Sequence, residues 1–168
     1  MLNIADSNVS KYFYDPVIVK QNKNPWEGTP VKAYYDLLPN QKGSASEKIV
    51  IKLLEEKGYT VKRRTNSGHD FIINNRKIEL KFGLATERNT KYETIYNHIS
   101  IDKDWDDILF VCINGDGNIK SAYFSKETFP LTYANYQQGG VTVQNDDFMI
   151  AGARAAALLD DEHATHLL

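Results

Sequence analysis

The chain has 168 residues, 42% of them hydrophobic, a length that encloses one core and leaves little for a second domain; its formal net charge is -2. No apolar run reaches the roughly 18 residues needed to span a bilayer, and the first stretch, MLNIADSNVSKYFYDPVIVK, lacks the basic start and apolar centre of a secretory signal. A soluble, intracellular protein with no membrane partner is expected. The single cysteine, Cys112, excludes a disulfide framework and a cysteine-ligated zinc site, and within ILFVCI it reads as a small buried thiol.

The near-neutral total hides a polarity. Residues 42–91 hold 12 Lys/Arg against 6 Asp/Glu and carry +6, whereas the remainder holds 8 against 16 and carries -8. A basic middle between acidic flanks suits a face turned toward phosphates, and it also fits uneven scatter of surface charge.

In chain order, residues 1–42 read as an irregular arm. Four of the five prolines (Pro16, Pro25, Pro30, Pro39) fall here, with one short helix expected near VKAYYDLL. At Gly43 the pattern changes. GSASEKIVIKLLEEKGY predicts an amphipathic helix in which Ser44 is the cap, Glu47 closes a Ser-x-x-Glu box and Gly58 is the stop. Three short strands follow in one antiparallel meander, YTVKRR (59–64), DFIINN (70–75) and RKIELKFG (76–83), with Asn74-Asn75 as a tight turn.

Residues 84–100 are polar and aromatic and fit either a helix or a loop. ILFVCIN (108–114) predicts a fully buried strand, and Gly115-Asp116-Gly117-Asn118 turns into an alternating strand, IKSAYFSK (119–126). AGARAAALLDDE near the end predicts a helix. The whole forms one α/β domain around a mixed sheet, with the core at 43–126 and an extension at 127–168.

Two clusters are set aside. Asp102, Asp104, Asp106 and Asp107 do not make a calcium loop, because the sixth position from Asp102 is Asp107 where glycine is required and the twelfth is Ile113 where glutamate is required. They read instead as an acidic patch that Trp105 anchors to the core. His163 and His166 read as part of a frayed terminus, not as zinc ligands.

The constellation with chemistry in it is Asp70, Glu79 and Lys81. In a strand, Glu79 and Lys81 share one face and Ile78 and Leu80 the other. A hairpin turning at Asn74-Asn75 returns Asp70 beside Glu79, since residues equally far from the turn pair across the ladder. Two adjacent carboxylates repel unless a cation lies between them, and a hard divalent ion, Mg²⁺, is the expected partner. An amine on the same face can then orient or deprotonate an attacking water and stabilise a charged phosphate. The competing reading is a salt-paired strand face, since Glu-x-Lys is a common spacing and recurs at Glu55-Glu56-Lys57 in the predicted helix.

In this setting the stretch from Gly43 to about Lys126 resembles the PD-(D/E)xK nuclease superfamily. The resemblance implies a restriction endonuclease-like fold, a mixed central sheet of about five strands flanked by helices. It further implies that Asp70, Glu79 and the Leu80 carbonyl bind Mg²⁺, with Mn²⁺ as a substitute, and that Lys81 is the catalytic lysine. Glu47 matches a glutamate that many members carry on the preceding helix, although its place in a capping box accounts for it equally. His69 stands where the motif's name has proline. The expectation is a cytoplasmic, bacterial or phage-encoded endodeoxyribonuclease, in particular a small type II restriction enzyme cleaving double-stranded DNA to leave a 5′-phosphate. A homodimer, or pairing with a larger partner subunit, would supply the second active site. The alternatives are a phage or repair nuclease directed by DNA structure, and a non-catalytic DNA-binding subunit. Candidate DNA contacts are Lys62, Arg63, Arg64, Arg88, Lys91, Asn97 and His98, while Arg76 and Lys77 fit either a phosphate contact or a solvated edge.

Overall fold

The structure, a computed structural model, describes residues 25–87, 89–134, 137–138, 141–142 and 148–168. Most of the expected N-terminal arm and Arg88 lie outside the described residues. In chain order the elements are α1 (Lys32–Tyr35), α2 (Pro39–Glu56), β1 (Val61–Arg63), β2 (Phe71–Ile73), β3 (Arg76–Leu84), β4 (Thr94–Ile99), β5 (Asp107–Ile113) and β6 (Ile119–Ser125). A short ribbon of β7 (Gln137–Gln138) and β8 (Val141–Thr142) follows, then β9 (Phe148–Gly152) and α3 (Ala153–Leu159). The architecture is mixed α/β, with a five-stranded mixed sheet in the order β1-β2-β3-β5-β6 and a separate pair, β4-β9.

The expected meander is present. Asn74 and Asn75 have φ of 51° and 61°, so both central residues are left-handed, as a tight two-residue hairpin requires. The turn fixes the register Phe71↔Ile78 and Ile73↔Arg76. β5 lies parallel to β3 from Ile78↔Asp107 to Leu84↔Ile113, and β6 returns antiparallel on the far side of β5. Every residue of β5 except Ile113 is buried. Its apolar run reports a strand covered on both faces.

Two cores flank the sheet. On one face Val50 and Leu54 of α2 pack against Phe71, Ile78, Leu80, Leu109 and Val111. On the other, Phe110, Cys112 and Phe124 meet Tyr96 and Ile99 of β4, Phe148 and Ile150 of β9, and Leu158 and Leu159 of α3. Burial pushes the Cys112 thiol up to about 12, so it is an inert core residue.

Four expectations need correction. First, α2 begins at Pro39, not at Ser44, so it crosses the expected boundary at 42/43. Pro39 takes the first helical position, where its missing N–H costs nothing, and Gln41 accepts the Leu38 N–H at 3.1 Å. Ser44 is therefore an interior helical residue, and no capping box accounts for Glu47.

Second, residues 94–99 form a strand, not a helix or loop. Thr94, Tyr96 and Ile99 point inward, and a bulge at Asn97 and His98 breaks the alternation that would have marked it. Third, the C-terminal residues are tied down: Thr165 bridges Tyr123, and the His166 ring meets the Ser121 carbonyl at 2.6 Å. Fourth, Arg76 and Lys77 are engaged by the acidic segment. Arg76 grips Asp107 through two hydrogen bonds of 2.6 and 2.7 Å, and Lys77 pairs with Asp104 at 2.8 Å. Asp107 is buried and also accepts the Tyr123 hydroxyl, so this patch fastens the start of β5 to β3. Trp105 is buried, as expected.

Candidate active site

The site forms where β2 leaves β3. Asp70 is the residue before β2, and its N–H donates to the Ile78 carbonyl at 2.8 Å, which sets it opposite Glu79. Its carboxylate then turns along the edge of β3 and accepts the Leu80 N–H at 2.7 Å. The N–H and C=O of one strand residue point to the same side, so the Leu80 carbonyl also faces the Asp70 side, beyond the last β2 partner of β3. Hairpin geometry thus gathers Asp70, Glu79 and the Leu80 backbone.

Glu79 and Lys81 share a face, as strand alternation requires. The Lys81 ammonium lies 2.8 Å from Glu79 Oε1, and the two side chains are 14% and 10% exposed. The same ammonium donates to the His98 carbonyl at 3.0 Å. His98 has φ of 54°, and the bulge in β4 at this point is what turns its carbonyl toward Lys81. No residue type in the sequence signals this backbone contribution. A broken alternation at Tyr96–Ile99 is its only trace in the sequence.

β4 reaches this position because β3 has no side chain at Gly83. A Cβ there would lie 2.4 Å from the Thr94 hydroxyl oxygen and 2.9 Å from its methyl. Thr94 is buried, and its hydroxyl donates to the Leu84 carbonyl at 2.7 Å. Gly83→Ala is expected to cost about 1–3 kcal/mol by overpacking. It should also shift β4, weakening the hold of His98 on Lys81. Thermal denaturation together with any activity assigned to Lys81 checks this, and an unchanged melting temperature would contradict it.

Glu47, on α2, is part-buried and completes the electrostatic group. Burial raises its carboxyl above the ordinary range, the charge of Asp70 and then of Glu79 adding to the effect and Arg64 opposing it. Burial likewise raises Asp70. The Leu80 N–H opposes that rise, the charge of Glu79 adds to it, and Lys81 and Arg64 oppose it. Three carboxylates therefore sense one another, with too little positive charge nearby to offset burial.

The donors are all oxygens, from Asp70, Glu79 and the Leu80 carbonyl, with Glu47 close by. That set fits a hard divalent cation and not a soft metal. Among the described residues no three Asp, Glu, His or Cys side chains already form one metal-holding cluster. In the present arrangement Lys81 supplies the positive charge beside Glu79.

The expected DNA contacts divide. Arg64 lies within electrostatic reach of Glu47 and Asp70. Arg63 shares with these residues the cleft between α2 and β1, but Lys62 lines a different cavity, with Ile72 and Asn74. Lys91 sits in the loop that Asn89 and Thr90 tie to the β5–β6 turn, through Gly115 and Asn114. Asn97 and His98 stand on strand β4, and His98 meets the site through its carbonyl. His69 is 2% exposed, and neither of its ring nitrogens has a hydrogen-bond partner among the described residues.

Among the described residues no helix is long and apolar enough to cross a membrane. No protein-family model matches the chain, and no curated protein is significantly similar to it.

Proposed function

We propose that this chain is a Mg²⁺-dependent endodeoxyribonuclease, and that its α/β architecture is the restriction endonuclease-like fold of the PD-(D/E)xK superfamily. The observation that carries the proposal is the pairing of Asp70 with Glu79 across one hairpin, with the Leu80 backbone at the same edge and Lys81 on the face of Glu79. A salt-paired strand face would need Lys81 and Glu79 alone. It does not account for a half-buried Asp70 beside them, or for Glu47 approaching from α2 without a capping role.

In this reading Asp70, Glu79 and the Leu80 carbonyl would hold the cation, and Mn²⁺ would replace Mg²⁺. When bound, the ion supplies Lewis-acid polarisation of a phosphodiester and lowers the pKa of a water nearby. Lys81, fixed between Glu79 and His98, orients the attacking water and holds charge that develops on the phosphate. Glu47 adds a carboxylate from α2 on the cleft it shares with Asp70, and its charge would add to the pull on a cation.

The more specific proposal is a type II restriction enzyme that cuts double-stranded DNA as a homodimer or with a larger partner subunit, since two strands need two sites. A structure-directed nuclease is the other enzymatic form. Manganese binding followed by electron paramagnetic resonance tests the metal site: one ion per chain is expected, lost in Asp70→Asn, and a wild type that binds none would contradict the reading. Sequencing of cut ends separates the two roles, because discrete positions mean restriction and scattered ends mean recognition of structure.

A further inference from the structure

A cleft of about 550 Å³ runs between α2 and β1 and opens at Asp70 and Glu47. Its helix wall carries Lys48 and Lys52, one turn apart on a single face and therefore about 6 Å apart along the axis. Its strand wall carries Arg63, on the face of β1 that Val61 also uses, with Arg64 beyond it toward the carboxylates. Glu55 is the acid at the end away from the carboxylates.

Among the described residues Lys48, Lys52 and Arg63 take part in no ion pair, a state they share with Lys62, whereas Lys32, Arg76, Lys77, Lys81 and Lys120 are each matched to an acid; what sets the three apart is that they line one cleft. Cations facing one another across a cleft without acids in contact repel, and a chain of phosphates relieves that repulsion. The lining is too charged for an apolar ligand. The row of cations ends at the carboxylates that line the cleft, so a polyanion laid along it would be delivered to Asp70 and Glu47.

We propose that the α2–β1 cleft is the track by which one DNA strand reaches the carboxylates, its phosphates held by Lys48, Lys52 and Arg63. The assignment rests on the nuclease reading for its destination, and it excludes Lys62, which the pleat of β1 turns to the other face. Recognition along the track is of backbone and not of bases.

The test is binding of fluorescein-labelled 12-nucleotide DNA, single-stranded and duplex, by anisotropy in EDTA over a series of NaCl concentrations. Arg63→Ala should weaken whichever form the wild type binds more tightly, and Lys62→Ala, its neighbour on the same strand, should not. The triple variant Lys48→Ala/Lys52→Ala/Arg63→Ala should lose at least about tenfold in affinity, equally for unrelated sequences. Its slope of log K against log[salt] should fall by about 2 for a single strand and about 2.7 for a duplex. Circular dichroism establishes that the variants remain folded. Wild-type affinity in the triple variant, an equal loss in Lys62→Ala, or no DNA binding by the wild type would each overturn the track. Because no divalent ion is present, the outcome is independent of cleavage: a protein that binds DNA here and never cuts it upholds the track and sinks the nuclease.

Discussion

Asp70→Asn is expected to abolish DNA cleavage while making the metal-free protein more stable. Loss of groups that merely support metal ligands costs roughly 10–100-fold in activity, so loss of a ligand should exceed 100-fold. Stability should move the other way. Burial, with the charge of Glu79 in support, holds the Asp70 carboxyl above its ordinary value of 3.8, and Glu47 is raised above 4.5 by burial and the charges of Asp70 and Glu79. The folded state then binds more protons than the unfolded state between the ordinary and the raised values. Without a cation, stability must fall as pH rises through that window and stay lower above it.

The amide removes the charge that burial penalises, and its oxygen still accepts the Leu80 N–H. A gain of about 1 kcal/mol corresponds to roughly 2–4 °C in melting temperature for a chain of this size. Mg²⁺ should raise the melting temperature of the wild type, more so above the window than within it, and should not raise that of the variant. A wild type insensitive to Mg²⁺, or a variant less stable than the wild type in EDTA, would contradict this account of Asp70.

Lys81→Met is expected to be equally inactive for the opposite electrostatic reason. The ammonium is the cation nearest Glu79, whose side chain is only 10% exposed. Removing one member of a buried pair typically costs 3–5 kcal/mol, because the other charge remains without a partner. With some access to water at Glu79, about 3 kcal/mol is expected, roughly 6–12 °C. A divalent ion should restore more stability to this variant than to the wild type, since it replaces the missing charge. Cleavage should stay at least about 100-fold down even with saturating Mg²⁺, because the group that orients the water is gone. If Lys81→Met cuts at the wild-type rate once Mg²⁺ is present, Lys81 serves structure and not the reaction.

The parts of the site legible in the sequence were those set by short-range rules. Asn74-Asn75 specifies a two-residue turn, the turn specifies register, and register sets Asp70 opposite Glu79. Strand alternation does the same for Glu79 and Lys81. What stayed hidden depends on contacts between distant segments or on backbone atoms. The His98 carbonyl has no residue signature, and the bulge that aims it also disguises β4 as loop. Gly83 matters only because Thr94 crosses it.

Other features do carry a signal in the sequence. Pro39 is a regular first residue of a helix, although the composition changes only at Gly43. Alternation in β1 already separates Lys62 from Arg63, and helical spacing already aligns Lys48 with Lys52.

Relaxation of supercoiled plasmid DNA by the purified protein, with Mg²⁺ and with EDTA and alongside Asp70→Asn, decides whether Asp70 serves a nuclease. Nicked or linear DNA in the wild-type lane with Mg²⁺, and in neither the EDTA nor the Asp70→Asn lane, is the result expected. Intact supercoiled DNA in every lane across several plasmids, or cutting by Asp70→Asn at the wild-type rate, would contradict it.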